Sequence, residues 1–288
     1  MFLPITATPY PHAGYSEVLP SRTLAPFVRC FWTAWNDGPA GEGALSAVIP
    51  DVCADIIITT DGTACPSDGR SVSGMGFCGV SDRMFRSENV AVPHRRLYGI
   101  RLYAWQASLF CDEPLCKTAN SFFELRSHFA SAEKLLRTSF SPDMTLPEFK
   151  AAGERVLQTL LERSARKSPE QNPLVLDAVM QMIQTRGSQQ LSALLNDIHA
   201  GERQLERIFE RTLSLPPKKL SSLIRYQHLW QDLYHSRSFD IQEEVLAHGY
   251  VDQAHLLNDF RKFHGMALSE ALCTARSAGL SAFYNTEA

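Results

Sequence analysis

Residues 201–219 read GERQLERIFERTLSLPPKK and residues 248–265 read HGYVDQAHLLNDFRKFHG. Each places a leucine four residues before a phenylalanine, Leu205 before Phe209 and Leu256 before Phe260, with a turn-like pair four to five residues further on. Side chains four apart share a helix face, so each pair predicts a helix that is apolar on one side. In the first stretch Leu205, Ile208 and Phe209 form that stripe, which leaves Arg203, Glu206, Arg207 and Glu210 facing solvent. Each stretch follows a shorter helical segment by a tight turn. The region therefore reads as two helix-turn-helix units joined by one long helix.

Working outward, helices are expected at 173–186, 188–197, 202–212, 217–235, 240–248 and 252–263, making 174–288 an all-α domain. The stretch SARKSPEQNP, 164–173, has no apolar side chain larger than alanine and ends in a helix-opening proline, which marks it as a linker. Before it, Phe149, Val156, Leu157, Leu160 and Leu161 recur at helical spacing, so 115–163 is expected to be a helical dimerisation segment. Residues 1–114 have a different texture. FVRCFW, SAVIPD, ADIIITT, MGFCGV and YGIRLY are β-branched or aromatic runs set between Gly, Pro, Asp and Ser clusters. The expected class is α+β: a β-rich sandwich or cupin-like sensor domain followed by an all-α domain with two helix-turn-helix units.

The formal net charge is -3 and the pI is near 6.3, so no global basic field advertises nucleic acid. From residue 169 onward there are 11 Lys plus Arg against 14 Asp plus Glu, 11 - 14 = -3, whereas residues 1–168 carry 17 of each. A net-acidic reading domain lacks much of the counterion-release contribution to affinity. Binding is accordingly expected to be weak, salt-sensitive, dominated by the first unit and reinforced by dimerisation. The N-terminus lacks a secretory pattern and no long apolar run is present, so a cytoplasmic protein without a membrane segment is expected. Seven cysteines, an odd number, suit reduced thiols.

The ordered array GERQLERIFERTL, PPKKL, LIRYQ and HGYVDQAHLLNDFRKFHG resembles the AraC/XylS family of bacterial transcription regulators. Arg203, Leu205, Arg207, Phe209, Pro217, Lys218, Arg225, Gly249, Tyr250, His255, Phe260 and Gly265 carry the resemblance. It departs where Leu195, Leu229 and Val245 replace helix-contact alanines, Glu244 replaces an apolar residue, and His199 and Ser214 replace turn glycines. The resemblance implies double-stranded DNA as partner, a homodimer, an unknown small-molecule effector and contact with RNA polymerase. Expected base contacts are Arg203, Glu206, Arg207, Gln253, His255 and Asn258, since arginine pairs with guanine, glutamate accepts from cytosine N4 and asparagine pairs with adenine. Arg211, Lys218, Lys219, Arg261 and Lys262 are expected on phosphates. Asp259 must point away from the duplex. Six of the nine histidines lie here (His199, His228, His235, His248, His255, His264), so acidification is expected to strengthen binding.

The N-terminal stretch, about 15–130, resembles a sensor-like domain of one branch of that family, with Pro50-Asp51-Val52-Cys53-Ala54-Asp55 for its Pro-Asp-Gly-Cys-x-Asp motif. Trp32, Asp51, Cys53, Asp55, Tyr98, Arg101, Tyr103 and Trp105 are the expected effector pocket; an ordinary sandwich core and an Arg–Asp pair are the plainer reading of the same residues. Cys111 and Cys116, with Cys53 or Cys78, lack a second paired motif, and no metal or cofactor is expected. His12, His94 and His128 stand far apart, and GMGFCG at 74–79 is neither a Walker loop nor a dinucleotide fingerprint, so an enzyme is not expected. The competing reading is a protein-interaction module derived from such a regulator.

Overall fold

The computed structural model describes residues 13–36, 46–64, 72–87, 96–167, 173–236 and 238–277. Eight strands form in the first half: β1 (Ala13–Val18), β2 (Val28–Asn36), β3 (Ser46–Val48), β4 (Cys53–Ala64), β5 (Val72–Cys78), β6 (Phe85–Ser87), β7 (Arg96–Tyr103) and β8 (Phe122–Glu124). Six of them make one antiparallel sheet in the order β1-β2-β7-β4-β5-β8, and β3 pairs with β6. The β-branched runs sit at its centre, where side chains alternate between two buried faces.

One face carries Phe31, Ala54, Ile56, Ile58, Phe77, Tyr98, Ile100 and Leu102. It is covered by α1 (Arg126–Ser139) and α2 (Leu146–Lys167), whose Phe149, Val156, Leu157 and Leu160 enter the same core. The stripe expected to dimerise is thus consumed within the chain. Nor is 115–163 wholly helical, because β8 is an edge strand added to β5 through Phe77 and Phe123. Helix α2 also runs to Lys167, into the expected linker, of which 168–172 lie outside the described residues. The other face carries Cys30, Trp32, Ala34 and Leu97, flanked by Tyr15 and Ile57. Trp32 lies across Gly99 of the neighbouring strand, where a Cβ would sit 1.9 Å from the indole.

The second half is helical: α3 (Pro173–Gln184), α4 (Leu191–Asp197), α5 (Glu202–Thr212), α6 (Pro217–His235), α7 (Ile241–Ala247), α8 (Gln253–His264) and α9 (Leu268–Ser277). Six match expected segments to within a few residues, and α9 is additional. Its Leu268, Ala271, Leu272 and Ala275 fall at helical spacing and close the bottom of the core. That core extends into the sheet domain through Ile49, Val52, Cys53, Val80, Tyr103, Ala104 and Trp105. A short 3-10 helix over Ala104–Leu109 carries part of this contact.

Since α2 closes the sheet's core, Phe149→Ala is expected to cost about 3–5 kcal/mol of stability, as large aromatic truncations in cores do. Denaturant unfolding of the purified variant measures it.

Candidate nucleic-acid interface

Helix α5 begins at Gly201, extended at φ -79° and ψ 142°, and ends at Leu213, where Ser214 turns left-handed at φ 58°. His199 takes the same region at φ 51°. These are the two positions at which glycine is the expected turn residue, and an L side chain there costs roughly 1 kcal/mol or more. Ser214 returns part of that cost, because its Oγ accepts a hydrogen bond from the Thr118 amide at 2.9 Å. Leu205 and Phe209 are fully buried, and Arg203, Glu206, Arg207, Glu210 and Arg211 are exposed. The face is chemically mixed, able both to donate and to accept toward base edges.

The second unit is built by the same logic. Asp240 caps α7 through the amides of Gln242 and Glu243, and Asp252 caps α8 through the amide of His255. Gly265 ends α8 at φ 76°, and a Cβ there would also meet Met84 of the sheet domain at 2.4 Å. Leu256, Phe260 and Phe263 are buried while Gln253, Asn258, Arg261 and Lys262 are exposed; His255 is half-buried. Asp259 does point away from the outer face. Its Oδ2 lies 3.1 Å from Arg225 Nη2 on α6, and the same guanidinium stacks 4.3 Å over the Tyr250 ring. An acid at the centre of a reading helix is therefore a strut to the helix behind it.

Lys219 is tied to a protein group. Its ammonium pairs with the Asp82 carboxylate of the sheet domain, which also accepts a contact from Asn120 and is held below the usual carboxylate range, burial opposing and the Lys219 hydrogen bond favouring the charged form. Around this pair the sheet domain grips the helices. Gln227 Nε2 donates to the Pro50 carbonyl at 2.7 Å, Met84 N to the Phe263 carbonyl at 3.1 Å, and Leu115 N to the Arg211 carbonyl at 3.0 Å. The Lys117 amide donates to Glu210 Oε1 at 3.3 Å. Contacts thus reach α5, α6 and α8, a convergence that pattern reading along the chain has no means to detect.

Of the expected effector residues, the strand pairs Asp55–Arg101 and Cys53–Tyr103 share one sheet face, and Tyr98 stands on the other. Trp32, Asp55 and Arg101 meet on one sheet face, where Trp32 Nε1 donates to Asp55 Oδ1 at 2.7 Å and Arg101 Nε donates to the same oxygen at 3.0 Å. Tyr98 faces the opposite side, with its ring against Phe140 and Phe149 and its hydroxyl donating to the Met144 carbonyl. Asp51, Cys53, Tyr103 and Trp105 lie toward the helical domain; Tyr103 and Trp105 stack 4.9 Å apart, and Asp51 Oδ1 accepts from Cys53 N. The sheet thus parts Tyr98 from Trp32, Asp55 and Arg101. Burial also pushes the Cys53 thiol up, and the Cys78 and Cys111 thiols up to about 12, which disfavours the thiolate.

Residues 194–272 match the family described as a helix-turn-helix domain, and residues 16–124 match a domain of unknown function, DUF6597. No curated protein matches the chain. Among solved structures, a 1.65 Å structure of ToxT from Vibrio cholerae aligns at 9% identity and TM-score 0.43, covering 91% of this chain and 97% of that one. Wild-type ToxT with bound unsaturated fatty acid aligns at 9% identity and TM-score 0.43, covering 93% and 95%. The C-terminal domain is an AraC-type helix-turn-helix domain, following an antiparallel β-sheet domain. No helix among the described residues is long and apolar enough to cross a membrane.

Of the six histidines in this half, His228, His248 and His264 are held near a pKa of about 4, chiefly by burial. Acid therefore does not add charge to the outer face through them. Their folded pKa lies below the unfolded value of about 6.5, so the stability they contribute is whole above that value and falls as pH drops toward 4. Thermal melts are expected to lose Tm between pH 7 and pH 4.5. His264→Gln, which removes a buried imidazole bonded to the Tyr226 hydroxyl at 2.8 Å, should flatten that slope.

Proposed function

We propose that this chain is an effector- or partner-responsive regulator whose first helix-turn-helix unit reads DNA through Arg203, Glu206 and Arg207. The observation that carries the reading is the row of exposed charged groups on α5, backed by the buried Leu205 and Phe209, within an AraC-type domain. Among the described residues Arg203, Arg207, Arg211, Lys218, Arg261 and Lys262 enter no ion pair, so their charge is available to phosphate and base edges. The connecting helix α6, residues Pro217–His235, is about 28 Å long at 1.5 Å per residue. That length suits presenting two short helices to successive major grooves about 34 Å apart.

In this reading the domain layout is a sensing sheet with its covering helices, then the reading domain after the stretch around 164–173. The sheet domain regulates by its grip on α5, α6 and α8. A ligand or partner binding preferentially to a released arrangement shifts the population toward DNA binding, by no more than its differential affinity for the two arrangements. A second copy of the chain would present a second reading domain, and RNA polymerase would be the receiving partner.

A second reading keeps the fold and changes the target. Leu246 is 82% exposed and Val251 84% exposed, both on the second unit, and such side chains suit a protein surface as well as a thymine methyl.

Gel shifts on promoter fragments at about 50 and 200 mM salt separate the readings. Shifts should weaken steeply with salt, and Arg203→Ala or Arg207→Ala should each cost about 1–3 kcal/mol of specific affinity. Retardation that is absent even at low salt transfers the function to protein binding. In the same assay Asp82→Asn, which frees the Lys219 ammonium, is expected to tighten binding several-fold; unchanged affinity would show that the domain contact does not restrain the reader.

A further inference from the structure

Asp232, Glu244 and His248 lie far from the outer faces of α5 and α8 in role and are joined only by folding. Asp232 is in the last turn of α6, Glu244 within α7, and His248 at its C-terminal cap. Glu244 and His248 are four apart and so share one face of α7. His248 is fully buried, and its Nε2 stands 3.2 Å from Asp232 Oδ2 and 3.2 Å from Glu244 Oε2 without hydrogen-bonding geometry to either. One ligand atom from each of the three falls within 4.8 Å of the others.

We propose that these three side chains are a binding site for a divalent transition-metal ion of the zinc class. Tetrahedral ligand bonds of about 2.1 Å place neighbouring ligand atoms about 3.4 Å apart, close to the spacing from Nε2 to each carboxylate oxygen. One imidazole nitrogen with two carboxylate oxygens is a borderline-to-hard donor set, which suits zinc and its open-shell neighbours better than a thiolate-seeking ion. Glu244 is half-buried and Asp232 is exposed, which gives an ion a path in from solvent over an imidazole floor. Arg186 donates to Asp232 Oδ2, the oxygen that also faces His248, and an ion would share that carboxylate with the guanidinium. The two carboxylates also exceed the Arg186 charge by one, so the pocket attracts a cation.

An ion here would pin α7, the first helix of the second unit, to the end of the connecting helix α6, and so fix the seat of α8. The inference rests on this cluster alone and not on DNA reading.

The test uses the full chain after chelator treatment, with Zn2+ and then Co2+ as probes. One equivalent of Zn2+ should raise Tm. Co2+ should give visible d–d bands without a thiolate charge-transfer band. Glu244→Gln and Asp232→Asn should each weaken binding by at least about tenfold while circular dichroism keeps the helix signal. His248→Asn removes a buried side chain and could unfold the domain, so the two carboxylate variants carry the decision. The proposal is overturned if Tm does not respond to Zn2+, if both carboxylate variants bind as tightly as the parent, or if the Co2+ spectrum shows sulfur ligation. The first result is the one expected if Arg186 and the two carboxylates form an ordinary ion-pair cluster.

Discussion

Helix α6 is the constraint on which the helical half depends. Leu220, Leu223, Ile224, Tyr226, Gln227, Leu229, Trp230 and Leu233 are all fully buried and cover most of the helix circumference, leaving a polar strip of Ser221, Arg225, His228 and Asp232. A helix apolar over most of its circumference has no resting place at a surface. It must be enclosed, and here α3, α5, α8, α9 and the Pro50 turn of the sheet domain enclose it. Gln227 shows how tight that enclosure is: a fully buried amide is tolerated because it donates to the Pro50 carbonyl, and a buried donor left unmade would cost about 1–3 kcal/mol. Each reading helix inherits its position from this central element.

Ion pairing around α6 also decides which charges of a net-acidic domain remain free. Arg225, Arg186 and Lys219 pair with Asp259, Asp232 and Asp82, all on or beside α6. These pairs serve the scaffold. Asp259 looks damaging in the sequence of a DNA-reading helix, yet it is half-buried against Arg225 and presents no charge at the tip. The three pairs take up three cations and two acids of the helical half, so its net-acidic character stands, and their effect on the outer face is to hold Asp259 back against Arg225. What the formal count of charges captures is the absence of surplus: few exposed cations remain for non-specific phosphate contact.

Much of this was legible in the residues, and the failures have particular causes. The repeated Leu–Phe spacing located α5 and α8 because helical period and burial coincide there, with Leu205, Phe209, Leu256 and Phe260 all fully buried. Period two should have separated Tyr98 from Arg101, which stand an odd number of residues apart on β7 and so face opposite sides of the sheet; aromatic chemistry was weighed there in place of parity. The α2 stripe is legible as apolar, but a stripe does not say what covers it, and a sheet face is as good a partner as a second helix. Helix α9 is faint in the sequence because its buried positions include two alanines, weak signals of amphipathicity. Lys219–Asp82, 137 residues apart, and the Asp232–Glu244–His248 cluster arise from tertiary packing, which no local pattern encodes.

The shared core alters what regulation can mean in this molecule. Val52, Cys53, Val80, Tyr103 and Trp105 belong to the sheet domain by connectivity and to the helical core by burial. Parting the two domains would therefore expose apolar surface at about 25 cal/mol per Å2 and also strand Pro50 O, Thr118 N and Met84 N. Full separation is too costly for a signal of ordinary binding energy. A smaller motion is less demanding: sliding the 80–84 and 115–118 segments along α5 and α6 breaks the ion pair and a few polar contacts while the apolar core stays closed. Packed interfaces of this kind hold discrete arrangements separated by small shifts, and modest differential binding can choose between them. The exposed end of the interface, where Lys219 meets Asp82, is where such a shift changes the charge offered to DNA while disturbing the core least.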